Sequence, residues 1–586
     1  CTYLNHRRVL LSTLIAAAIH GNALAEETTL PTISVTAPAL IEKTTPNSVN
    51  LDEEALQSLV PTTSDTARLL KNIPGLELQT SGGVSSLPVI HGLADDRLRI
   101  KVDGMDLISA CGNHMNPALS YIDPTNVSNI SVFAGITPVS VGGDSIGGTI
   151  IVNSAYPEFA KPGEGLLKKG EVGAFYRSNG NAKGDNLSAT VASETLSMTY
   201  QSSTTESENY TSGDGFKPAR LAAAGRDWLE ADEVGSSKYK STNKSLSLAK
   251  KIDNHIIELK YGLQDIPYQG WTNQRMDMTG NDSEQFNLRY EGQFDWGTLD
   301  SRVYNESTRH AMQFADDKLY WYGSNTGVPT VDGESCTPTG GMTGCAAGMP
   351  MDTDADNTGV VIKAGIPLAE GDLIRIGTEI QQYRLDDWWE PSGKGMWPNT
   401  FWNIYNGERD RLALFCEWEA NINAQWRTQL GLRGERVTMD TGEVQGYNTT
   451  SAEYLAESTA FNASDRKRTD NNIDLTALAR YTSDKTQTIE VGFARKTRSP
   501  SLYERYTWST GGMAMRMINW AGDGNGYVGN LDLEPEVANT LSATFDWHDA
   551  TQNKWGLKVT PYYTYISDYI DAERCSSANS NCGAAN

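Results

Sequence analysis

Beyond its first 25 residues the 586-residue sequence contains no long apolar run. A membrane-crossing helix needs roughly 18 to 20 such residues, so a helical membrane protein is excluded, and the mean hydropathy of -0.45 agrees. A β-barrel is not excluded, because its strands alternate lipid-facing and lumen-facing residues and leave a weak hydropathy signal. Positive charge is also scarce: 49 Lys and Arg stand against 73 Asp and Glu, for a net charge of -24. Nucleic acid is therefore a poor partner, since its phosphates call for a basic patch. The seven histidines are dispersed, and no nucleophile motif or general-base constellation is present, which argues against an enzyme, a multi-histidine oxidase included. No fixed repeat supports a β-helix. The length exceeds one compact soluble core, so two or more domains or one very large β architecture are expected.

The N-terminus is legible. His6-Arg7-Arg8 precedes the apolar run from Val9 to Ile19, and Ala23-Leu24-Ala25 supplies small residues for cleavage, the pattern of a secretory signal peptide over 1–25. The mature chain is expected to begin near Glu26. Cys1 stands where an initiator Met is expected, which predicts further residues upstream, and its place ahead of the charged region argues against a lipid anchor. In an exported chain the short Cys336–Cys345 and Cys575–Cys582 loops suit disulfides. Cys111 and Cys416 are left over. Cys416 lies in the alternating stretch Arg411 to Trp418, as a buried or lipid-facing residue.

Residues 26–50 are polar and rich in Thr and Pro. Within them Thr32-Ile-Ser-Val-Thr-Ala37 suits strand addition to a partner's sheet edge, with a plain linker as the equal alternative. From 51 to 155 the texture is a small α/β domain. Thr63-Ser64-Asp65 caps a short helix carrying Ala67, Leu69 and Leu70, and strands are expected at Pro88–His91, Leu98–Asp103, Val127–Phe133 and Gly148–Asn153. The glycine-rich stretch Gly142 to Thr149 resembles a phosphate loop but lacks its Lys, so nucleotide binding is rejected. From 156 to 586, runs of about ten alternating residues recur between turns and long polar loops. Leu187–Ala192, Ser245–Ala249, Asn254–Tyr261, Leu373–Gln381, Thr488–Ala494 and Leu557–Tyr565 are examples. Aromatics at strand ends, as at Tyr320 to Tyr322 and Trp388-Trp389, suit the girdles of outer-membrane barrels.

The stretch Leu107 to Pro117 places a thiol, an imidazole and a thioether within five residues, at Cys111, His114 and Met115. One helical turn puts Cys111 and Met115 on one face, and sulfur donors select soft ions, Cu(I) above all. Burial without ligation is the default for both residue types. On a helix His114 points about 100° away from Met115, so it is left outside the set. The pairs Met276/Met278, Met349/Met351 and Met513/Met515/Met517 share a strand face if extended, as soft donors along an entry path or as adaptable filler. Asp352-x-Asp354-x-Asp356 lacks the Gly and distal Glu of a calcium loop.

The order of motifs resembles a TonB-dependent outer-membrane receptor. After the signal peptide and extended box come Leu69-Leu-Lys-Asn-Ile-Pro-Gly75, Ile90 to Arg97, Val102-Asp-Gly104 and Ser140 to Ile150, then a long barrel with Lys496 to Arg505 and Asn530 to Glu536. The resemblance implies a plug domain over 51–155 inside a transmembrane antiparallel β-barrel of 22 strands over 156–586. It further implies a monomer in outer-membrane lipid, and import energised by TonB through residues 32–37. An allowance of roughly 20 to 25 residues per strand and loop gives 18 or so strands, so the last strands are expected to be missing from this sequence. Cys111-Gly-Asn-His-Met115 is similar to the Cys-x-x-x-Met motif of the TonB-dependent copper receptors, whose His-x-Met partner is matched by His310-Ala-Met312. That likeness implies copper as the transported ion, Cu(I) favoured and Cu(II) accepted, held by Cys111, Met115, His310 and Met312. A receptor for a ferric siderophore or cobalamin, and a non-transporting adhesion protein, are the alternatives.

Overall fold

The computed structural model describes residues 48–80, 82–222, 227–318, 348, 350–369, 371–393, 396–484, 486–519, 526–551 and 554–574. The signal peptide, the Thr32–Ala37 box, Tyr320 to Tyr322, and the cysteines at 336, 345, 575 and 582 lie outside the described residues. No helix among the described residues is long and apolar enough to cross a membrane.

The first domain is built on a five-stranded sheet in the order Ser48–Leu51, Asn129–Ala134, Gly148–Asn153, Leu98–Val102, Met105–Asp106. Leu98–Val102 and Gly148–Asn153 run parallel, and the other neighbours are antiparallel. A three-stranded sheet of Leu76–Gln79, Leu87–Ile90 and Leu93–Ala94 packs nearby. The expected helix after Asp65 is a 3₁₀ helix, Thr66–Leu70. Asp65 caps it as read, accepting the Ala67 N–H at 3.1 Å, and Pro74, which has no N–H to donate, lies just beyond it.

From Leu167 onward, sixteen strands among the described residues join one antiparallel sheet, somewhat fewer than the 18 or so expected. The expected strand Leu557–Tyr565 is split into Gly556–Val559 and Tyr562–Ser567, both paired with Glu536–His548. Pro561 has no N–H to donate and interrupts the ladder there. The strand Phe401–Asn421 shows the logic of the wall. Arg409, Arg411, Ala413, Phe415, Glu417 and Glu419 are buried toward the lumen, while Leu412, Leu414 and Cys416 are exposed on the outer face. Polar residues inward and apolar residues outward are what a bilayer demands of a barrel, and Cys416 is thereby lipid-facing. Trp389 departs from the girdle expectation: it is 1% exposed and stacks on Phe401 at 4.2 Å inside the sheet. Asp352, Asp354 and Asp356 lie on the strand Met351–Ala369, so they form no cation-binding loop.

One end of the barrel is closed by short turns, as at 253–254, 295–296 and 422–425. The other carries longer connections such as 441–467, which marks it as extracellular.

The first domain sits inside this wall, and charge seats it there. In Leu98-Arg-Ile-Lys-Val102 the apolar side chains enter the domain's own core. Arg99 and Lys101, on the opposite face, reach the barrel residue Glu379 at 2.7 and 3.2 Å. Arg433 from another strand meets the same carboxylate at 2.8 Å. Arg99 also pairs with Asp106 at 2.7 Å, and Arg411 of the wall joins it there. Gly143 is required by this seating, because a Cβ on it would collide with the Arg433 guanidinium.

Replacing Glu379 with Ala leaves three buried cations without their shared partner. Loss of one member of a buried ion cluster costs about 3–5 kcal/mol. The expected result is a lowered melting temperature for the plug and faster proteolysis of it in detergent, with the outer strands still folded.

Candidate metal centre at the plug–barrel junction

The chain from Leu107 to Pro117 leaves the plug hairpin at Met105–Asp106 and forms a tight loop before the 3₁₀ turn Ala118–Tyr121. It is not helical, contrary to the expectation from the Cys111–Met115 spacing. His114 donates its N–H to Cys111 O at 2.9 Å and has a φ of 51°, which breaks any helical run. Gly112 and three asparagine or histidine neighbours favour such a turn over a helix. Two sulfurs are nonetheless delivered inward, with Cys111 1% and Met115 0% exposed.

Side-chain amides shape the loop. Asn116 Oδ1 accepts the Ser109 hydroxyl at 2.7 Å and the Cys111 N–H at 3.1 Å. Its Nδ2 donates to Tyr121 Oη and to Asn281 Oδ1 of the barrel, both at 3.0 Å. Tyr503 Oη donates to Ala110 O at 3.0 Å, and Tyr383 Oη to Ser109 O at 3.3 Å. The Cys111 sulfur accepts the backbone N–H of Asn113 at 3.4 Å. Burial pushes the Cys111 thiol up to about 12, against the weaker pull of the Met115 and Asn113 N–H groups. It is therefore a neutral thiol at ordinary pH.

The barrel half comes from the strand Gly297–Gln313 near its extracellular end. His310 and Met312, two apart, point the same way, and both are buried, at 2% and 1% exposure. Met312 Sδ lies 4.0 Å from Cys111 Sγ. Two sulfurs on one tetrahedral ion, with metal–sulfur bonds near 2.3 Å, stand about 3.8 Å apart. Neither ring nitrogen of His310 has a hydrogen-bond partner among the described residues. A buried imidazole without a partner is costly unless something is meant to bind it.

Strand register places Met278, Met312 and Met351 side by side, and all three are fully buried. Met276, Met396, Met439 and Met517 share the apolar cluster that contains Cys111 and Met115. Met439 and Met396 already receive polar hydrogens, from Arg505 at 3.2 Å and Ser392 at 3.8 Å. Met515 and Met517 lie on the short helix Gly512–Met517, so the shared strand face expected for them does not exist. Met349 lies outside the described residues. Among the described residues no group of three His, Cys, Asp or Glu side chains is spaced for a metal. Any ion held at this junction must rely on thioether sulfur, which selects soft ions.

Of the four residues proposed as ligands, Cys111 and Met312 are in contact across the junction. Met115 shares their apolar cluster, and His310 precedes Met312 on the same strand face. His114 stands apart, its Nδ1 3.5 Å from Asp95 Oδ1. With Asp95 and Cys111 it lines a cavity of about 110 Å³. Asn113 and Asn116 escaped the sequence reading. Their only signal was the Asn-rich texture of the loop, because their partners lie far along the chain.

A family model described as the TonB dependent receptor-like beta-barrel matches residues 227–585, and one described as the TonB-dependent receptor plug domain matches residues 41–149. A comparison with curated protein sequences gives no match. Among solved structures, the fold is similar to the copper transporter OprC, with a TM-score of 0.67 and 17% identity over 90% of this chain and 72% of that one. It is similar to the Serratia marcescens hemophore receptor HasR, solved as a double mutant with its hemophore HasA and heme, at 0.64 and 14% over 90% and 73%. The FrpB iron transporter of Neisseria meningitidis follows the same pattern, at 0.63 and 15% over 91% and 74%. At such identities the likeness speaks for the fold, and the ligands of these proteins differ. A plug seated in an antiparallel barrel, with both family models matched in order along the chain, makes this protein a member of the TonB-dependent receptors of the Gram-negative outer membrane, which take up ligands in partnership with TonB.

Proposed function

We propose that this receptor imports copper, captured between plug and barrel by Cys111, Met115, His310 and Met312. The observation that carries the reading is the 4.0 Å approach of a plug thiol to a barrel thioether, beside an imidazole without a partner. Three sulfurs and one nitrogen form a soft set suited to Cu(I), with the imidazole allowing Cu(II). The fold likeness to a copper transporter supports the same reading.

The rival ligand is a bulky ferric chelate or heme, as in other proteins of this fold. Such ligands need open aromatic faces. One group of buried aromatics is closed to such a ligand, because Trp389 at 4.2 Å and Trp508 at 4.9 Å are both stacked on Phe401.

The reading divides labour simply. Ligands from two bodies hold the ion only while the plug is seated, so displacement of the plug by TonB takes Cys111 and Met115 away from His310 and Met312. The ion cannot drive that change beyond its own preference for one state. TonB, pairing with residues 32–37, supplies the work.

Metal analysis of detergent-purified protein loaded with Cu(I) is expected to find one copper per chain in the parent and little in Cys111→Ala or Met312→Ala. His114→Ala is expected to retain its copper. Equal copper in the parent and both sulfur variants would remove the reading.

Binding must also respond to pH in one direction. The Cys111 thiol is protonated throughout pH 6–8, because that window lies below about 12. Each ion bound then releases one proton. The Cu(I) dissociation constant, measured by ligand competition, is expected to tighten about tenfold per unit rise in pH across this range, and Cys111→Ser is expected to lose that slope.

A further inference from the structure

Asn113 touches both halves of the sulfur pair. Its backbone N–H donates to Cys111 Sγ at 3.4 Å, and its side-chain Nδ2 donates to Met312 Sδ at 3.3 Å. The same Nδ2 donates to Met517 O at 3.1 Å, and Oδ1 accepts the Asn519 N–H at 2.7 Å. The two outer bonds fix which end of the amide is nitrogen, since a backbone N–H cannot donate to an amide NH₂. Asn113 is 3% exposed, so these bonds form away from water and are missed if lost.

We infer that Asn113 is the positioning residue of the junction: its carboxamide turns the Met312 thioether toward Cys111 and ties both to the extracellular segment that carries Met517 and Asn519. This rests on the metal reading above and adds a residue to it. A thioether has two lone pairs. One engaged by an N–H leaves the other directed at the ion, and the flexible Met side chain loses its freedom to swing aside. Without that bond, Met312 has several rotamers of similar energy and donates to the ion only part of the time. The same carboxamide also holds Met517 O and the Asn519 N–H, so the group that aligns the ligand is itself anchored to the extracellular segment beside it.

The test uses the full chain in detergent with Cu(I) as the probe. Asn113→Leu keeps the branched shape and removes every side-chain bond, and Asn113→Ser, which leaves space instead, guards against misfolding by bulk. Melting temperatures are recorded for each. Both variants are expected to bind Cu(I) at least about tenfold more weakly than the parent, a difference of about 1.4 kcal/mol. X-ray absorption at the copper edge is expected to show one sulfur neighbour fewer, with the Cys111 thiolate retained. In a Met312→Ala background, adding Asn113→Leu is expected to change nothing further, as it must when one residue acts through the other. Parent-like affinity and sulfur count in both single variants overturns the role of Asn113 while leaving the metal reading intact. A full additional loss in the Met312→Ala background overturns it as well. Failure of the parent itself to bind Cu(I) overturns the metal reading and this inference with it.

Discussion

The seating of the plug against the barrel wall depends on a buried ionic contact, the convergence of Arg99, Lys101 and Arg433 on Glu379. The sheet of the plug has two faces. One buries Leu98, Ile100 and Val102 in its own core, and the other would be a solvated face in an isolated domain. Enclosed in a barrel, that face meets a wall whose lumen side is polar because its outer side must be apolar for lipid. Charges on both bodies are removed from water together, which is tolerable only when they are matched. Geometry is therefore specified sharply at this contact, and Gly143 gives way so that Arg433 can reach it.

Everything at the plug–barrel junction inherits this placement. Cys111 is delivered by a loop that starts a few residues after Lys101, and Met312 by a wall strand that is not part of the plug. Their 4.0 Å separation is a consequence of the domain's seating, with Asn116 to Asn281 and Asn113 to Met312 as local ties. On the proposed reading this is also how release works. A site divided between two bodies is dismantled by moving one of them, and the Cys111 thiolate recovers its proton as the ion leaves.

Methionine is abundant around the site for a reason that does not depend on metal. Met278, Met312 and Met351 fill a row across three strands where the wall approaches an irregular loop. Unbranched side chains adapt to such a surface better than branched ones. What separates Met312 from its neighbours is its pair of contacts, one to a thiol and one to an amide hydrogen.

Much of this was legible in the chain itself. Alternation in Arg411 to Trp418 marked a two-faced strand and put Cys416 on a buried or lipid-facing side, because period-two patterning survives in any sheet that separates two solvents. The plug strands near Leu98 and Gly148 and the cap at Asp65 were readable from local chemistry, and the order of motifs named the family. Cys111 and Met115 were candidates by residue type and spacing, whereas His310 and Met312 came in only through the likeness to the copper receptors' His-x-Met motif. The helical turn assumed for Cys111 to Met115 was wrong, since His114 adopts a left-handed φ that spacing cannot reveal. The inward burial of Trp389 and the roles of Asn113 and Asn116 were equally hidden. Asn113 finds Met517 404 positions away, and Asn116 finds Asn281 165 positions away. The sequence by itself determined which faces seek water, lipid or a core, because those preferences are local. Only the tertiary structure decided which plug loop meets which wall strand, because that pairing is set by how one folded body fits inside another.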